Sequence, residues 1–132
     1  MNIFKSKTFI ISHIPLLIMG TRAQVKIVTS DNLCPIYLYQ HYDGDCLFQT
    51  VLDAFSRGKD QIDDPEYMTR IIFSEMIRES IDDTVGYGIS TDEHGDIEFL
   101  VEVNFDTQMI TQYAYNLNLD KNLQMSFKDA CQ

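Results

Sequence analysis

The sequence predicts an α+β fold, a two-layer sandwich in which an antiparallel sheet of about five strands carries two helices on one face. Two observations indicate this fold. The strand-like and helix-like segments follow one another in the order ββααβββ, and short connections join them without regular alternation of strand and helix. The chain has 132 residues, of which 45% are hydrophobic and 23% charged, a composition typical of one compact domain.

The first strand is predicted where Val25 and Ile27 alternate with polar neighbours, and the second over residues 36–42, which are β-branched and aromatic. Asp43 and Gly44 then end the strand with turn chemistry. Apolar residues at helical spacing over residues 47–55 predict the first helix, and Gly58 is a suitable C-terminal stop.

The second helix has the strongest local signal, because Asp64 can cap its N-terminus and Pro65 suits the first helical position. We expect it to span residues 65–80. Its apolar residues spread around most of the circumference, so it needs cover on two sides. The sheet can supply one side; the preceding helix, the N-terminal segment or a second subunit must supply the other. Self-association through this helix or a sheet edge is therefore expected.

Three further strands are predicted over residues 85–90, 96–104 and 109–115, with residues 91–95 as the turn of a hairpin between the first two. Gly86 and Gly88 fall on one face, which leaves a strip where a helix, another backbone or a ligand could approach. Residues 126–131 suit a short terminal helix.

Residues 1–18 form an N-terminal extension ahead of a domain over residues 19–132. Two lysines and an apolar run give it a superficial likeness to a secretory signal, but His13 and Pro15 interrupt the run. The run is also too short to cross a bilayer as a helix. We favour Met19 as the natural start and a cytoplasmic location. A secreted protein processed near residues 20–24 is the alternative.

Polar residues at two predicted turns form the best candidate site. Its members are His41, Asp43, Asp45, His94 and Asp96. If both turns lie at the same end of the sheet, they offer ligands for Mn, Mg, Ca or Zn. The same residues also suit ordinary tight turns, which we favour. We therefore expect no cofactor, with a divalent metal ion as the alternative, and no motif identifies a catalytic residue.

The three cysteines, Cys34, Cys46 and Cys131, are an odd number without metal-knuckle spacing, which argues against a disulfide framework. Cys46 can open a helix, where the helix dipole would lower a thiol pKa, whereas Asp43 and Asp45 would raise it. A dyad of Cys46 with His41 or His94 is conceivable, but no nucleophile signature surrounds it.

Negative charge is concentrated in residues 60–106, called the acidic stretch below. It holds fourteen Asp and Glu residues against Arg70 and Arg78, within a chain of formal net charge -10. This balance disfavours direct binding to nucleic acid or to anionic membranes. A solvated acidic face is the simplest interpretation. The alternative is a basic protein partner, for which the carboxylates could mimic nucleic-acid phosphates.

Three segments carry a resemblance: MGTRAQV at residues 19–25, YLYQHYDG at 37–44 and HGDIEFLVEV at 94–103. The chain resembles a group of small bacterial and phage proteins that start M-[GA]-T-R and share a [HQ]-[WY]-D-G turn and an acidic D-[IV]-E-[YF]-[LV] strand. Tyr42 replaces a frequent tryptophan. The resemblance implies a shared fold and Met19 as the start, and it carries over no activity.

These observations favour a non-enzymatic interaction module that acts by protein-protein contact, as an inhibitor or accessory protein related to phage or prophage. The alternative is a metal-binding or hydrolytic enzyme that uses His41, Asp43 and Asp45 together with His94 and Asp96.

Overall fold

The computed structural model describes residues 21–30, 34–115 and 119–132, and the N-terminal extension lies outside them. These residues form a sheet with helices on one face. The strands are β1 (Ala23–Val28), β2 (Ile36–Gln40), β3 (Tyr87–Ser90), β4 (Phe99–Asn104), β5 (Met109–Ala114) and β6 (Leu123–Ser126). The helices are α1 (Leu47–Arg57), α2 (Pro65–Met76) and α3 (Phe127–Ala130), and short 3-10 turns lie between some elements. The α+β class is thus confirmed.

The sheet has six strands in the order β3-β2-β1-β4-β5-β6. Its two central strands, β1 and β4, are parallel, and every other neighbouring pair is antiparallel. The sheet is therefore mixed, not wholly antiparallel as expected, and β6 adds a strand beyond the predicted five. The element order ββααββββα extends the predicted one by this strand and by α3, which forms within the expected terminal segment.

The hairpin predicted between residues 85–90 and 96–104 is wrong. β3 pairs with β2 at one edge of the sheet, whereas β4 pairs with β1 at its centre. Residues 91–98, called the crossover segment below, connect these two strands, which run parallel to each other. Turn-forming residues in this segment are compatible with a hairpin and with a crossover, so local chemistry does not decide between them.

The main core lies between the helices and one face of the sheet. β1 contributes Ala23, Val25 and Ile27 to it, and β4 contributes the alternate residues Phe99, Val101 and Val103. Amphipathic α1 buries Leu47, Phe48, Val51, Ala54 and Phe55 against them. The alternation predicted for β1 is confirmed, since its apolar positions face the helices, and β4 follows the same pattern.

Helix α2 begins as predicted, because the Asp64 side chain accepts a hydrogen bond from the Tyr67 backbone N–H at 3.0 Å and Pro65 follows the cap. It ends at Met76, four residues before the predicted end. α1 packs against it closely at Gly58, where an added Cβ would lie 2.9 Å from Ile71 Cδ1. α1 thus covers one side of α2, while Tyr67 of α2 is 57% exposed, and self-association through this helix stays a prediction.

The opposite face of the sheet carries a smaller cluster of Tyr37, Ile97 and Leu100, with Tyr39 packed against it. Ile97 belongs to this cluster and not to the helix-covered core. Among the described residues, none of the helices is both long and apolar enough to cross a membrane.

Candidate functional site

Gln24 fixes the crossover segment to the sheet. Its side chain is fully buried, on the face of β1 opposite the helices. Its Nε2 donates to the Asp92 carbonyl at 3.2 Å, and its Oε1 accepts from the His94 backbone N–H at 2.9 Å. A buried amide with both ends bonded to backbone holds a segment in one place, because losing it leaves buried polar groups unpaired. The predicted site residue His94 owes its position to this glutamine.

Both predicted imidazoles lie against Tyr39, on β2. The Tyr39 hydroxyl is 2.9 Å from His41 Nδ1, and the His94 ring centroid is 4.6 Å from the Tyr39 ring centroid. His41 also meets the Tyr42 ring edge-on at 4.7 Å. The turn after β2 and the crossover segment therefore come together, as the sequence analysis required for a joint site.

Arg22 and Asp96 lie beside this group around Tyr39. Arg22 Nε lies 3.5 Å from Asp96 Oδ2, in a partly exposed ion pair. Burial raises the pKa of the Tyr39 hydroxyl, the Asp96 charge raises it further, and Arg22 opposes both. A raised pKa keeps the phenol protonated, so Tyr39 serves as a hydrogen-bonding partner and not as an activated nucleophile.

The other two predicted residues shape the turn after β2. Asp43 adopts a left-handed conformation with φ 56°, and its carbonyl accepts bonds from the Cys46 N–H and Gln40 Nε2. Asp45 lies in the 3-10 turn Gly44–Cys46. The Gly44 N–H donates to the Thr21 carbonyl at 2.7 Å and joins this turn to the start of β1. These roles match the turn interpretation of Asp43 and Asp45.

The Cys46 thiol has no activating environment. Cys46 does cap the N-terminus of α1, but burial and the charges of Asp45 and Asp43 raise its pKa. The direction of this shift is the one that Asp43 and Asp45 favour. The thiol is therefore mainly protonated near neutral pH, which weakens the case for a Cys46 and histidine dyad.

The predicted metal ligands do not form one compact donor set. His41 and His94 contact the same tyrosine, while Asp96 faces Arg22 and Asp43 and Asp45 belong to the turn. Within residues 21–30, 34–115 and 119–132, no group of three or more His, Cys, Asp or Glu side chains is arranged to hold a metal ion. Metal binding by the five candidates remains a prediction.

The acidic stretch is mostly exposed. Ten of its fourteen carboxylates belong to exposed residues: Asp60, Asp63, Glu66, Glu79, Asp82, Asp83, Asp92, Glu93, Asp96 and Asp106. In the described part of the chain, the ion pairs of the stretch involve only Glu75, with Arg57 and Arg78, and Asp96, with Arg22. Most of the negative charge therefore faces solvent without a neutralising side chain, and it can attract a cationic surface.

Neither Arg22 nor Gln24 was predicted from the sequence as part of the site. Gln24 occupies a polar position of an alternating strand, and such a position usually faces solvent. Gln24 is buried because the crossover segment lies over it. Arg22 precedes β1 in the MGTRAQV segment and pairs with Asp96, which lies far along the chain.

Comparison with known proteins found no match for this chain. No family model, no curated protein and no solved structure matches it.

Proposed function

We propose that this protein is a non-catalytic module that binds a basic region of another protein through its acidic stretch. The single observation that carries this proposal is the exposed, largely unneutralised negative charge of residues 60–106. Opposite charge across an interface steers encounter and selects partners, and like charge rejects wrong ones. The Tyr39 phenol and the Cys46 thiol, both with raised pKa values, favour binding over nucleophilic chemistry.

The class of partner follows from the chemistry. A protein with a lysine- or arginine-rich surface, such as one that binds nucleic acid, presents charge complementary to these carboxylates. Occupation of that surface would compete with phosphate groups. This fits the resemblance to bacterial and phage proteins and a role as a cytoplasmic inhibitor or accessory protein related to phage or prophage.

Self-association through α2 or a sheet edge is part of the proposal, and the exposed Tyr67 side chain on α2 is the observation in its favour. Size-exclusion chromatography with light scattering tests it over a range of protein concentration. A dimer is the expected result, and a strict monomer at all concentrations removes self-association while leaving partner binding intact.

Affinity capture at two salt concentrations tests the proposed function. The immobilised protein is incubated with a lysate of its source organism at about 0.1 M and about 1 M salt, where charges are screened beyond about 10 Å and 3 Å respectively. Retained proteins are identified by mass spectrometry. We expect one or a few basic proteins to bind specifically at low salt and to be released at high salt. The same retained set at both concentrations, or none, contradicts the proposal.

Metal binding or hydrolysis at His41, Asp43, Asp45, His94 and Asp96 is the second candidate. The observation in its favour is the meeting of His41 and His94 on Tyr39. Calorimetric titration with Zn²⁺ and Mn²⁺ tests it, with a His41→Ala/His94→Ala variant as the control. Stoichiometric binding that the variant loses would support this candidate, and equal or absent heat in both proteins would refute it.

A further inference from the structure

One edge of the sheet offers unpaired backbone beside exposed apolar side chains. Strand β3 is the last strand at this edge, so its outer side has no strand partner among the described residues. Its four residues contain neither a charged residue nor a proline, the devices that commonly protect an edge from pairing with another chain. Ile81, Val85 and Ile89, which precede or belong to β3, are 71%, 74% and 63% exposed.

The register identifies the outward-facing backbone groups. The His41 N–H donates to the Gly86 carbonyl at 2.8 Å, which makes these two residues a hydrogen-bonded pair. Hydrogen-bonded and non-hydrogen-bonded pairs alternate along an antiparallel ladder. Tyr87, opposite Gln40, and Ile89, opposite Leu38, are therefore in non-hydrogen-bonded pairs. Their N–H and C=O groups point away from β2, toward the open edge.

The surroundings of β3 and the negative charge near it favour a neighbouring strand with basic side chains. Gly88 lies opposite Tyr39, on the face away from the helices, and an added Cβ there would meet no atom of the described residues within 4 Å, so the strip predicted at this glycine is not packed against a helix. From residue 79 to residue 93 the chain has five carboxylates and no basic residue; they are Glu79, Asp82, Asp83, Asp92 and Glu93. A neighbouring strand with basic side chains would face these charges at either end of β3.

The opposite edge of the sheet differs in charge. Strand β6 is also an edge strand, but the described residues around it, 119–132, carry two acidic and two basic side chains, Asp120, Lys121, Lys128 and Asp129. The Phe127 N–H donates to the Gln108 carbonyl, so by the same alternation Gln124 has outward-facing backbone groups. This edge gives a basic strand no electrostatic preference and provides a matched control.

We propose that β3 is the docking site for an extended basic segment of a protein partner, which adds to the sheet as a further strand. This inference rests on the proposed function and names the surface that carries it out. Backbone hydrogen bonds to Tyr87 and Ile89 set the position of the added strand, and the surrounding carboxylates select lysine and arginine side chains.

A synthetic peptide tests the proposal on the full chain. The probe is a fluorescein-labelled peptide of about eight alternating valine and lysine residues, long enough to pair with a strand. Fluorescence anisotropy measures its binding. An otherwise identical peptide with glutamate for lysine tests charge, and one with alternate backbone nitrogens methylated tests strand pairing.

Two proline variants separate the edges. Ile89→Pro removes an N–H that points away from β2, so the β2–β3 ladder keeps its bonds, and Gln124→Pro does the same at β6. We expect Ile89→Pro to weaken peptide binding about tenfold or more, as the loss of backbone pairing requires, while Gln124→Pro binds like wild type. Ile89→Lys, which keeps the N–H but adds a repelling charge, should also weaken binding and covers the case in which Ile89→Pro unfolds.

The outcomes separate this inference from the proposed function. If wild type binds the lysine peptide and both Ile89 variants bind equally well, the β3 site is wrong. If the Asp82→Asn/Asp83→Asn variant then still binds the peptide more weakly than wild type, the acidic stretch binds the peptide at a place other than β3. Absence of binding to wild type also overturns the β3 site, and the capture experiment then decides on the proposed function independently.

Discussion

Gln24→Leu tests whether one buried amide holds the crossover segment on the sheet. Leucine fills a similar volume but can make neither bond to the crossover segment. The substitution leaves the His94 N–H without its partner, whereas the Asp92 carbonyl keeps the bond that it accepts from the Ser90 hydroxyl at 2.9 Å. One unpaired buried polar group costs about 1–3 kcal/mol, so we expect the free energy of unfolding to fall by about 1–3 kcal/mol if the segment stays in place.

Two measurements check this prediction. With a urea dependence of about 2 kcal/mol per M, this loss lowers the urea midpoint by about 0.5–1.5 M. Hydrogen exchange gives the local result, since the His94 amide is bonded to buried Gln24 Oε1 and should exchange faster in the variant. If the segment lifts off instead of staying buried, the midpoint shifts less and the exchange of His94 accelerates more.

Gln112→Leu is the matched control. Gln112 is also a buried glutamine on a strand, and its Nε2 donates to the Lys121 carbonyl at 2.7 Å. Its Oε1 finds no hydrogen-bond partner among the described residues, so leucine also removes an unsatisfied acceptor. The cost should be smaller than for Gln24→Leu, below about 1 kcal/mol. An equal or larger loss in Gln112→Leu, with unchanged His94 exchange in Gln24→Leu, would refute the reasoning.

The remaining predictions concern single contacts of the fold. Gly44→Ala should lower the thermal midpoint strongly, because the new Cβ would collide with the Thr21 carbonyl oxygen, whereas Gly88→Ala, with open space around it, should change it little. Asp64→Ala removes the cap of α2 and should cost about 1 kcal/mol in urea unfolding; no change would refute the capping role. Hydrogen bonds and charge from Arg78, and then from Arg57, lower the pKa of Glu75, so its stabilisation is present above about pH 4.5 and is lost as pH falls below it. Wild type should therefore lose more stability than Glu75→Gln on acidification through this range, and parallel losses would contradict the prediction.

The elements with strong local signals could be predicted from the sequence. Asp64 and Pro65 fixed the start of α2 because capping depends on neighbouring residues alone. The apolar spacing of α1 and its stop at Gly58 are local in the same sense. The end of α2 is less determined, since apolar residues continue to Ile77 and no glycine or proline marks the stop at Met76.

Strand order could not be predicted, because it depends on pairing between distant segments. β1 lies parallel to β4, with Val25 opposite Val101, and no local pattern indicates this pairing. The crossover segment has the composition of a turn, and its true path depends on the apolar residues that it covers, Tyr37 and Leu100 among them. Burial of Gln24 is a consequence of that path.

The candidate site was predicted in part for the same reason. His41 and His94 contact the same tyrosine, although residues 91–95 belong to a crossover and not to the predicted hairpin turn. Asp43 and Asp45 remain in the turn that their residue types favour. Arg22 could not be assigned to Asp96, because an ion pair between segments requires knowledge of the β1 and β4 pairing.

The most direct test of the account compares two charge-matched variants in binding to the lysine peptide. Asp60→Asn/Asp82→Asn/Asp83→Asn removes three exposed charges from the acidic stretch, and Asp45→Asn/Asp53→Asn/Asp120→Asn removes three exposed charges outside it. We expect only the first variant to bind more weakly and to depend less on salt, because the position of the charges matters. Equal weakening in both variants would show that net charge alone governs binding, and it would contradict the central claim.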